Sequence, residues 1–443
     1  MGAIAELLSG VVLPKMVRVK QVFPAAEISD VAEAVREQLR RPQIANRVKR
    51  GKRIAVAVGS RGIAEIARIV RTTIGELKQM GAQPFIVPAM GSHGGATAQG
   101  QVELLASLGI TEASAGCPIL SSMEVVELGT MKNGLDILMD KYAYEADAIV
   151  VINRIKVHNA FSGPIESGLA KMITIGLGKQ KGADAAHTLG FKYMAEFVPE
   201  IAAVKLRKLP FLFGVATVEN AYDRPARILA IPAEEILETE PKLLAESKAN
   251  MPRMLLQPLD ILVVDQQGKE FSGGGMEPYI TGRAPTSYLK LDSVVTRVVC
   301  LDLTDYSHGN CCGSGMADIT TRRMFDKIDF EQTYANVLTS TVTSSARIGL
   351  IFDSDRLAIQ AAIKTCNVLD TARVRMVRIP NTLHVGEIYV SESMLEEARR
   401  HLNMVVVGDP EPWVFDDAGN LTDIGRWPAH VAAAIPASAG PGR

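Results

Sequence analysis

Short apolar runs, each ending in a polar, glycine-bearing turn and each followed by residues at helical spacing, recur along this chain. The first is residues 54–58, IAVAV, which stop at Gly59, Ser60, Arg61 and Gly62. Residues 63–80 follow, with Ile66, Ile69, Val70, Ile74 and Leu77 on one helical face. The pattern returns in residues 84–89, PFIVPA, succeeded by MGSHGGATAQGQ and another helical stretch, and a third strand is expected over 147–152. Strands that alternate with helices, with their glycine-bearing turns at the same end, predict a mainly parallel sheet whose cleft lies at its carboxyl edge. Around this unit, residues 28–41 read as a surface helix capped by Ser29 or Asp30. Residues 191–208 read as a helix, 211–218 as a strand, and 233–249 as a charged amphipathic helix.

A second set begins at residues 261–265, ILVVD, which run into QQGKEFSGGGMEPYITGR. Residues 298–303, VVCLDL, run into TDYSHGNCCGSGMADITTRR, and residues 348–352, IGLIF, precede a helix over 355–366. The fold class expected is therefore α/β, as two α/β domains with mainly parallel sheets and an active-site cleft between them. The N-terminal domain is placed at 1–255 and the C-terminal one at 256–427, and the Ala/Pro/Gly-rich residues 428–443 are expected to be a disordered tail. A length of 443 residues, beyond what one hydrophobic core usually supports, agrees with two domains.

Composition narrows the partners. With 47% hydrophobic and 22% charged residues the chain is ordinary for a soluble globular protein. Its 48 basic and 49 acidic residues leave a net charge of -1, so nucleic acid and anionic membrane are not expected partners. Five cysteines without a CxxC pair argue against a disulfide framework and a cysteine-rich zinc site, and fit a reducing cytoplasm. No basic segment precedes the apolar start of the chain, and no run approaches the roughly 18 apolar residues of a membrane helix.

Candidate chemistry concentrates in residues 153–187, NRIKVHNAFSGPIESGLAKMITIGLGKQKGADAAH, directly after the third strand. The stretch sets His158, His187 and four lysines among glycines and apolar residues, too polar for core and too apolar for a disordered loop. Glycine lets backbone approach a ligand closely, while histidine and lysine move protons, bind metals and hold anions. Two earlier turns add to it. The GSRG turn meets a helix N-terminus, where anions bind in α/β proteins, and Arg61 is either a phosphate or carboxylate grip or a surface arginine. His93 stands between Ser92 and Gly94, with room for a substrate beside its ring. In the second domain Lys269, His308 and Asn310 lie on candidate cleft loops, although glycine-rich loops are often only tight turns. His384, His401 and His430 lack such surroundings and read as structural.

Three histidines raise the possibility of a catalytic zinc in a hydrolase, but no HxH or HExxH spacing is present and no carboxylate adjoins them. Two histidines flanking one small substrate suit a racemase, with one removing a proton and the other serving the opposite enantiomer. GSRG with Arg61, GSH with His93, NRIKVH with His158, SGLAKM with Lys171 and the later His187 together resemble the nickel-pincer-nucleotide-dependent racemases and epimerases, the lactate racemase-like family. The likeness covers roughly residues 55–190 in order and spacing, while GKEFSGGGMEP and HGNCCGSGMADITTRR look like a branch distinct from lactate racemase itself.

The resemblance implies an isomerase acting on a small-molecule 2-hydroxy acid, with His187 ligating nickel and Lys171 holding the nucleotide, covalently in some members. Ser60, Arg61, Gly91 and Ser92 would line the cofactor pocket, His93 and His158 would be the acid/base pair, and Arg61 would also meet substrate. The family's substrate-binding residues in the second domain find no clear match, and Lys269, which could hold the carboxylate, and His308 are substrate candidates from their loops alone. The implied cofactor is a pyridinium-3,5-bisthiocarboxylate mononucleotide carrying nickel, whose two sulfurs and ring carbon leave one position for a protein histidine. Hydride would pass to the pyridinium carbon while a histidine takes the hydroxyl proton, and the α-keto acid would take hydride back on its other face. The chain departs from the family in Glu166 of PIESGLAK, where lactate racemases have a shorter glycine-rich run. The competing readings are a non-catalytic or biosynthetic nucleotide-binding protein and the zinc hydrolase.

Overall fold

A computed structural model describes residues 2–60 and 62–424, so Arg61 and the expected tail at 428–443 lie outside the described residues. The chain divides into two compact units, one over Pro24–Met251 and the other combining the chain before Pro24 with the chain from Pro252 on.

In the Pro24–Met251 unit a five-stranded sheet runs in the order Gln83–Pro88, Arg53–Val58, Ala148–Arg154, Phe211–Glu219, Pro225–Pro232. The first four strands are parallel and the last is antiparallel. Every residue over 54–58 and 149–152 is fully buried, as expected where helices cover both faces of a parallel sheet. The helices Val31–Arg40 and Ile66–Gln79 pack on this sheet through Val35, Leu39, Ile69, Val70, Ile74 and Leu77. Asp30 caps the first, its carboxylate accepting from the Ala32 and Glu33 N–H groups at 3.0 and 3.1 Å. From the strand Arg53–Val58 the chain goes outward to the edge strand Gln83–Pro88 and later returns on the other side as the central strand Ala148–Arg154. The strand order therefore reverses between Arg53–Val58 and Ala148–Arg154, and loops leaving strands at such a point diverge and open a crevice.

The second unit holds a mixed eight-stranded sheet in the order Leu350–Phe352, Ile319–Thr321, Val295–Leu303, Leu259–Gln267, Met376–Ile379, Glu387–Ser391, Met16–Gln21, Met404–Val406. Its first five strands are parallel. The chain start, expected within a 1–255 domain, contributes the strand Met16–Gln21 here instead. The cause is pairing: Val17 and Val19 oppose Val390 and Ile388, antiparallel, and both are fully buried. All five cysteines are free and buried. Among the described residues, no helix is long and apolar enough to cross a membrane.

Candidate functional site

Two of the proposed site residues meet at neighbouring strand ends. Ser60 follows the strand Arg53–Val58 and His93 follows Gln83–Pro88, and the Ser60 hydroxyl is hydrogen-bonded to His93 Nδ1. Gly91 makes this turn possible, since its φ of 58° is in the left-handed region. The turn is fixed from below by Gln101, which is fully buried and donates Nε2 to the carbonyls of Gly91 and His93 at 3.0 and 3.2 Å. The Gln101 oxygen accepts from Lys179 Nζ at 2.7 Å, and Lys179 also bonds the Pro88 carbonyl at 2.8 Å and faces Asp140 at 3.4 Å. Lys179 and Asp140 are both fully buried, so their charges are compensated by each other and by these bonds. Lys179 holds a φ of 55°, a left-handed conformation that its buried contacts impose on a side-chain-bearing residue.

The stretch 153–187 is largely helical: a turn at Leu169–Lys171, a π-helical turn at Met172–Gly176, and a helix at Lys179–Thr188. His187 lies half-buried in the last turn of that helix. π-turns leave carbonyls poorly matched, and the fully buried Lys205 answers two of them, donating Nζ to Ile173 and Thr174 at 2.7 and 3.1 Å. Burial pushes the Lys205 amine down to about 7. The Gly91 N–H donates to the Gly176 carbonyl at 3.1 Å, joining the GSH turn to this segment.

His158 lies past the end of the strand Ala148–Arg154, and its Nδ1 accepts the Ala160 N–H at 3.1 Å, which assigns the proton of the neutral ring to Nε2. Its backbone N–H donates to Glu166 at 2.7 Å. The His158 ring is 4.6 Å from that of Phe161 and 5.5 Å from that of Phe191, and Phe191 lies 6.0 Å from the His187 ring. One phenyl ring thus borders both histidines. Burial first, and then the charge of Lys171, hold the His187 pKa below its usual value, with Asp184 opposing. Lys171 itself is half-buried.

The structure therefore gathers Ser60, Gly91, Ser92 and His93 in one cluster and His158, Lys171 and His187 in a second, both in the Pro24–Met251 unit. Lys269 and His308 lie in the other unit. The Lys269 N–H donates to Ser307 Oγ at 3.1 Å, and its Nζ donates to the Gly273 carbonyl at 3.1 Å and to Asn336 at 2.7 Å. His308 is exposed at a φ of 46°, beside the Tyr306 ring.

Sequence reasoning missed Phe191, Lys205, Gln101, the Asp140–Lys179 pair and Glu240. Two of these leave a readable signal, because Glu240 and Lys205 occupy core-facing positions of amphipathic helices, among Ile236, Leu243 and Leu244 and among Phe197, Ile201 and Ala202. A charge on the apolar stripe of a helix is a buried charge, and buried charges come with partners.

Comparison with known proteins adds the following. Residues 6–196 match the profile of the lactate racemase N-terminal domain. The lactate racemase apoprotein from Thermoanaerobacterium thermosaccharolyticum is similar at a TM-score of 0.49 and 14% identity, over 83% of this chain and 98% of that one. A protein from Thermotoga maritima is similar at a TM-score of 0.46 and 14% identity, over 61% of this chain and 70% of that one. No curated protein matches the sequence.

Proposed function

From a chain that is lactate racemase-like across residues 6–196, we propose a racemase or epimerase of a 2-hydroxy acid that uses a nickel-pincer nucleotide. The observation that carries this reading is the gathering of His158, Lys171 and His187 on one continuous stretch, with Phe191 against both imidazoles.

The residues suit the cofactor. A metal ligand must be a neutral imidazole, and burial together with Lys171 keeps His187 in that form. Among the described residues there is no group of three or more His, Cys, Asp or Glu able to hold a metal ion. A metal held here would take its other donors from something the chain carries, as a pincer nucleotide provides. The same donor set disfavours the zinc hydrolase, which needs three protein ligands. In this reading His187 ligates nickel and Lys171 holds the nucleotide, by contact or covalently. Ser60, Arg61, Gly91 and Ser92 belong to the cofactor pocket and Arg61 also to substrate binding, while Lys269 and His308 are substrate-binding candidates on loops of the other unit.

When bound, the cofactor supplies a hydride acceptor at its pyridinium ring, so the chain need only handle protons and orientation. His93 and His158 are the acid/base pair. The Ala160 N–H fixes His158 as an Nε2–H donor in its neutral form, while the Ser60 hydroxyl, able to donate or accept, lets His93 Nδ1 be either acceptor or donor and so leaves that ring open to both roles. A donor and an acceptor ready together serve one direction, and exchanging the two roles serves the other.

Each single variant, His93→Ala and His158→Ala, is therefore expected to lose interconversion in both directions, by about 100-fold or more per folded molecule. The test uses cofactor-loaded protein and a panel of chiral 2-hydroxy acids. Full activity in either variant, on a substrate the parent racemises, removes that histidine from the mechanism. Intact mass of the native protein separates the two forms of Lys171 attachment, since added mass marks the covalent one and its absence excludes it.

A further inference from the structure

The loop between His158 and Lys171 is clipped at both ends by buried carboxylates, and both clips lead to one distant helix, Ile236–Asn250. At the Lys171 end, Glu240 of that helix is 1% exposed and accepts the Ala170 N–H at 2.9 Å, with the Leu169 N–H as a second donor. The turn it meets opens at Gly168, which has no side chain to cap it, so Glu240 supplies from another element what an Asp or Ser would supply locally. Its approach needs a glycine: a Cβ at position 168 would sit 2.0 Å from Glu240 Oε1 and 2.6 Å from Ile155 Cδ1. The Gly168 carbonyl is in turn held by Asn153 Nδ2 at 2.8 Å.

At the His158 end, the side chain of Glu166 is fully buried. One oxygen accepts the His158 N–H at 2.7 Å, and the other accepts the Gly163 N–H at 3.2 Å and Lys248 Nζ at 2.8 Å. Lys248 stands two turns beyond Glu240 on the same helix. Glu166 is also the residue at which this chain departs from the family pattern.

We propose that the helix Ile236–Asn250 is the positioning element of the site, with Glu240 setting the place of Lys171 and the Lys248–Glu166 pair setting that of His158. The functional weight of this rests on the reading of Lys171 and His158 given above, but the geometry does not. Burial raises the Glu240 pKa to about 7, so the cap does not depend on a permanent charge, and an uncharged acceptor of the same shape should serve. A merely structural carboxylate would loosen the whole unit when removed, whereas a positioning one loosens the turn it caps.

The test is acylation of lysines in the folded, metal-free full-length chain by a water-soluble reagent, read by peptide mass, beside deuterium exchange. Glu240→Ala should acylate Lys171 several-fold faster than the parent does, relative to the exposed Lys192, with exchange in the strand Ala148–Arg154 unchanged. Glu240→Gln should return Lys171 to within about twofold of the parent, because its amide oxygen still accepts the Ala170 N–H. Glu166→Ala should raise the modification of His158 by a histidine reagent, relative to His401, in the same way. An unchanged or slower rate at Lys171, faster exchange throughout the sheet, or a Gln variant that behaves like Ala would each overturn the proposal. Should Glu240→Ala fail to fold, Glu240→Asp, one methylene too short to reach Ala170, gives the same comparison. These readouts stand whether or not the parent holds nickel, so a parent without nickel counts against the racemase reading and leaves the clamp to be judged by labelling.

Discussion

Residues 163–182 and 268–315 look alike as sequence, glycine-rich stretches that follow a buried strand and pack closely beside their glycines, and they differ in which titratable side chains gather around them. In the first, Glu240 stands against Gly168, the Met172 sulfur and the Ala89 carbonyl against Gly176, and the Thr174 carbonyl against Gly178. In the second, the Cys312 carbonyl would lie 1.9 Å from a Cβ at Gly275 and the Ser344 carbonyl 1.8 Å from one at Gly315, while the side chains of Glu270 and Thr304 close on Gly268. Lys269 is bonded to Gly273 of its own loop and to Asn336 of the helix Phe330–Ser340, whereas His158, Lys171 and His187 gather around the first stretch. Glycine density therefore reports close packing of the chain on itself, and the gathering of titratable side chains is what separates a candidate site from a folded knot of loops.

The sharpest way to break this comparison is to add a methyl group to each stretch. Gly275→Ala places a side chain at a φ of 85° and against a carbonyl, and should cost about 3–4 kcal/mol in chemical denaturation. An effect below about 1 kcal/mol would mean that these loops repack easily and that their glycines serve something else.

The first stretch is probed through its buried cation. Lys205 is protonated less readily folded, at about 7, than at its ordinary 10.5. Between those values the unfolded chain binds more protons, so stability should rise as pH is raised from about 7 toward 10.5. Lys205→Met should remove that rise. A Met variant with the same alkaline slope as the parent would contradict the assignment.

A smaller effect with the same sign is expected from the second stretch. The His384 ring packs against Phe271, its Nε2 is buried without a hydrogen bond, and burial holds its pKa below 6.5. Stability should fall on acidification once the pH passes below 6.5, and continue to fall until the folded state also binds the proton. His384→Phe should flatten that fall; an unchanged profile would assign the acid sensitivity elsewhere.

The smallest effect belongs to Gly182, inside the helix Lys179–Thr188, where a Cβ would meet only Leu138 Cβ at 3.9 Å. Gly182→Ala should stabilise by about 0.5–1 kcal/mol and leave cofactor retention intact. Loss of bound nickel in that variant would show that this glycine is there for a ligand after all.

Much of the fold is legible in the sequence because its parallel strands are buried on both faces. Runs such as IAVAV and AIVVI admit few other readings, and they coincide with Arg53–Val58 and Ala148–Arg154 to within a residue or two. The strand Met16–Gln21 is less legible. Its alternation of Val17 and Val19 with Arg18 and Lys20 is present, but its partners Glu387–Ser391 and Met404–Val406 lie far along the chain, and no local pattern reports a pairing at that distance. His93 could be picked out because small residues flank it, and His158, Lys171 and His187 because their stretch mixes glycines with titratable residues directly after a buried strand. Glu240 and Lys205 could not be picked out by counting charges on amphipathic helices, because only the face of the helix on which a charge stands shows that it is buried. The glycines of the first stretch were read as room for a ligand, and at Gly168 and Gly176 that room is taken by the chain itself.

The central claim, that the stretch from His158 to His187 holds a nickel-bearing nucleotide, is tested most directly by metal analysis of the protein and its His187→Ala variant, both purified from cells able to make the cofactor. The account predicts stoichiometric nickel and a pyridinium absorbance in the parent, and neither in the variant at an unchanged melting temperature. A parent without nickel, or a variant that keeps it in full, would contradict the account.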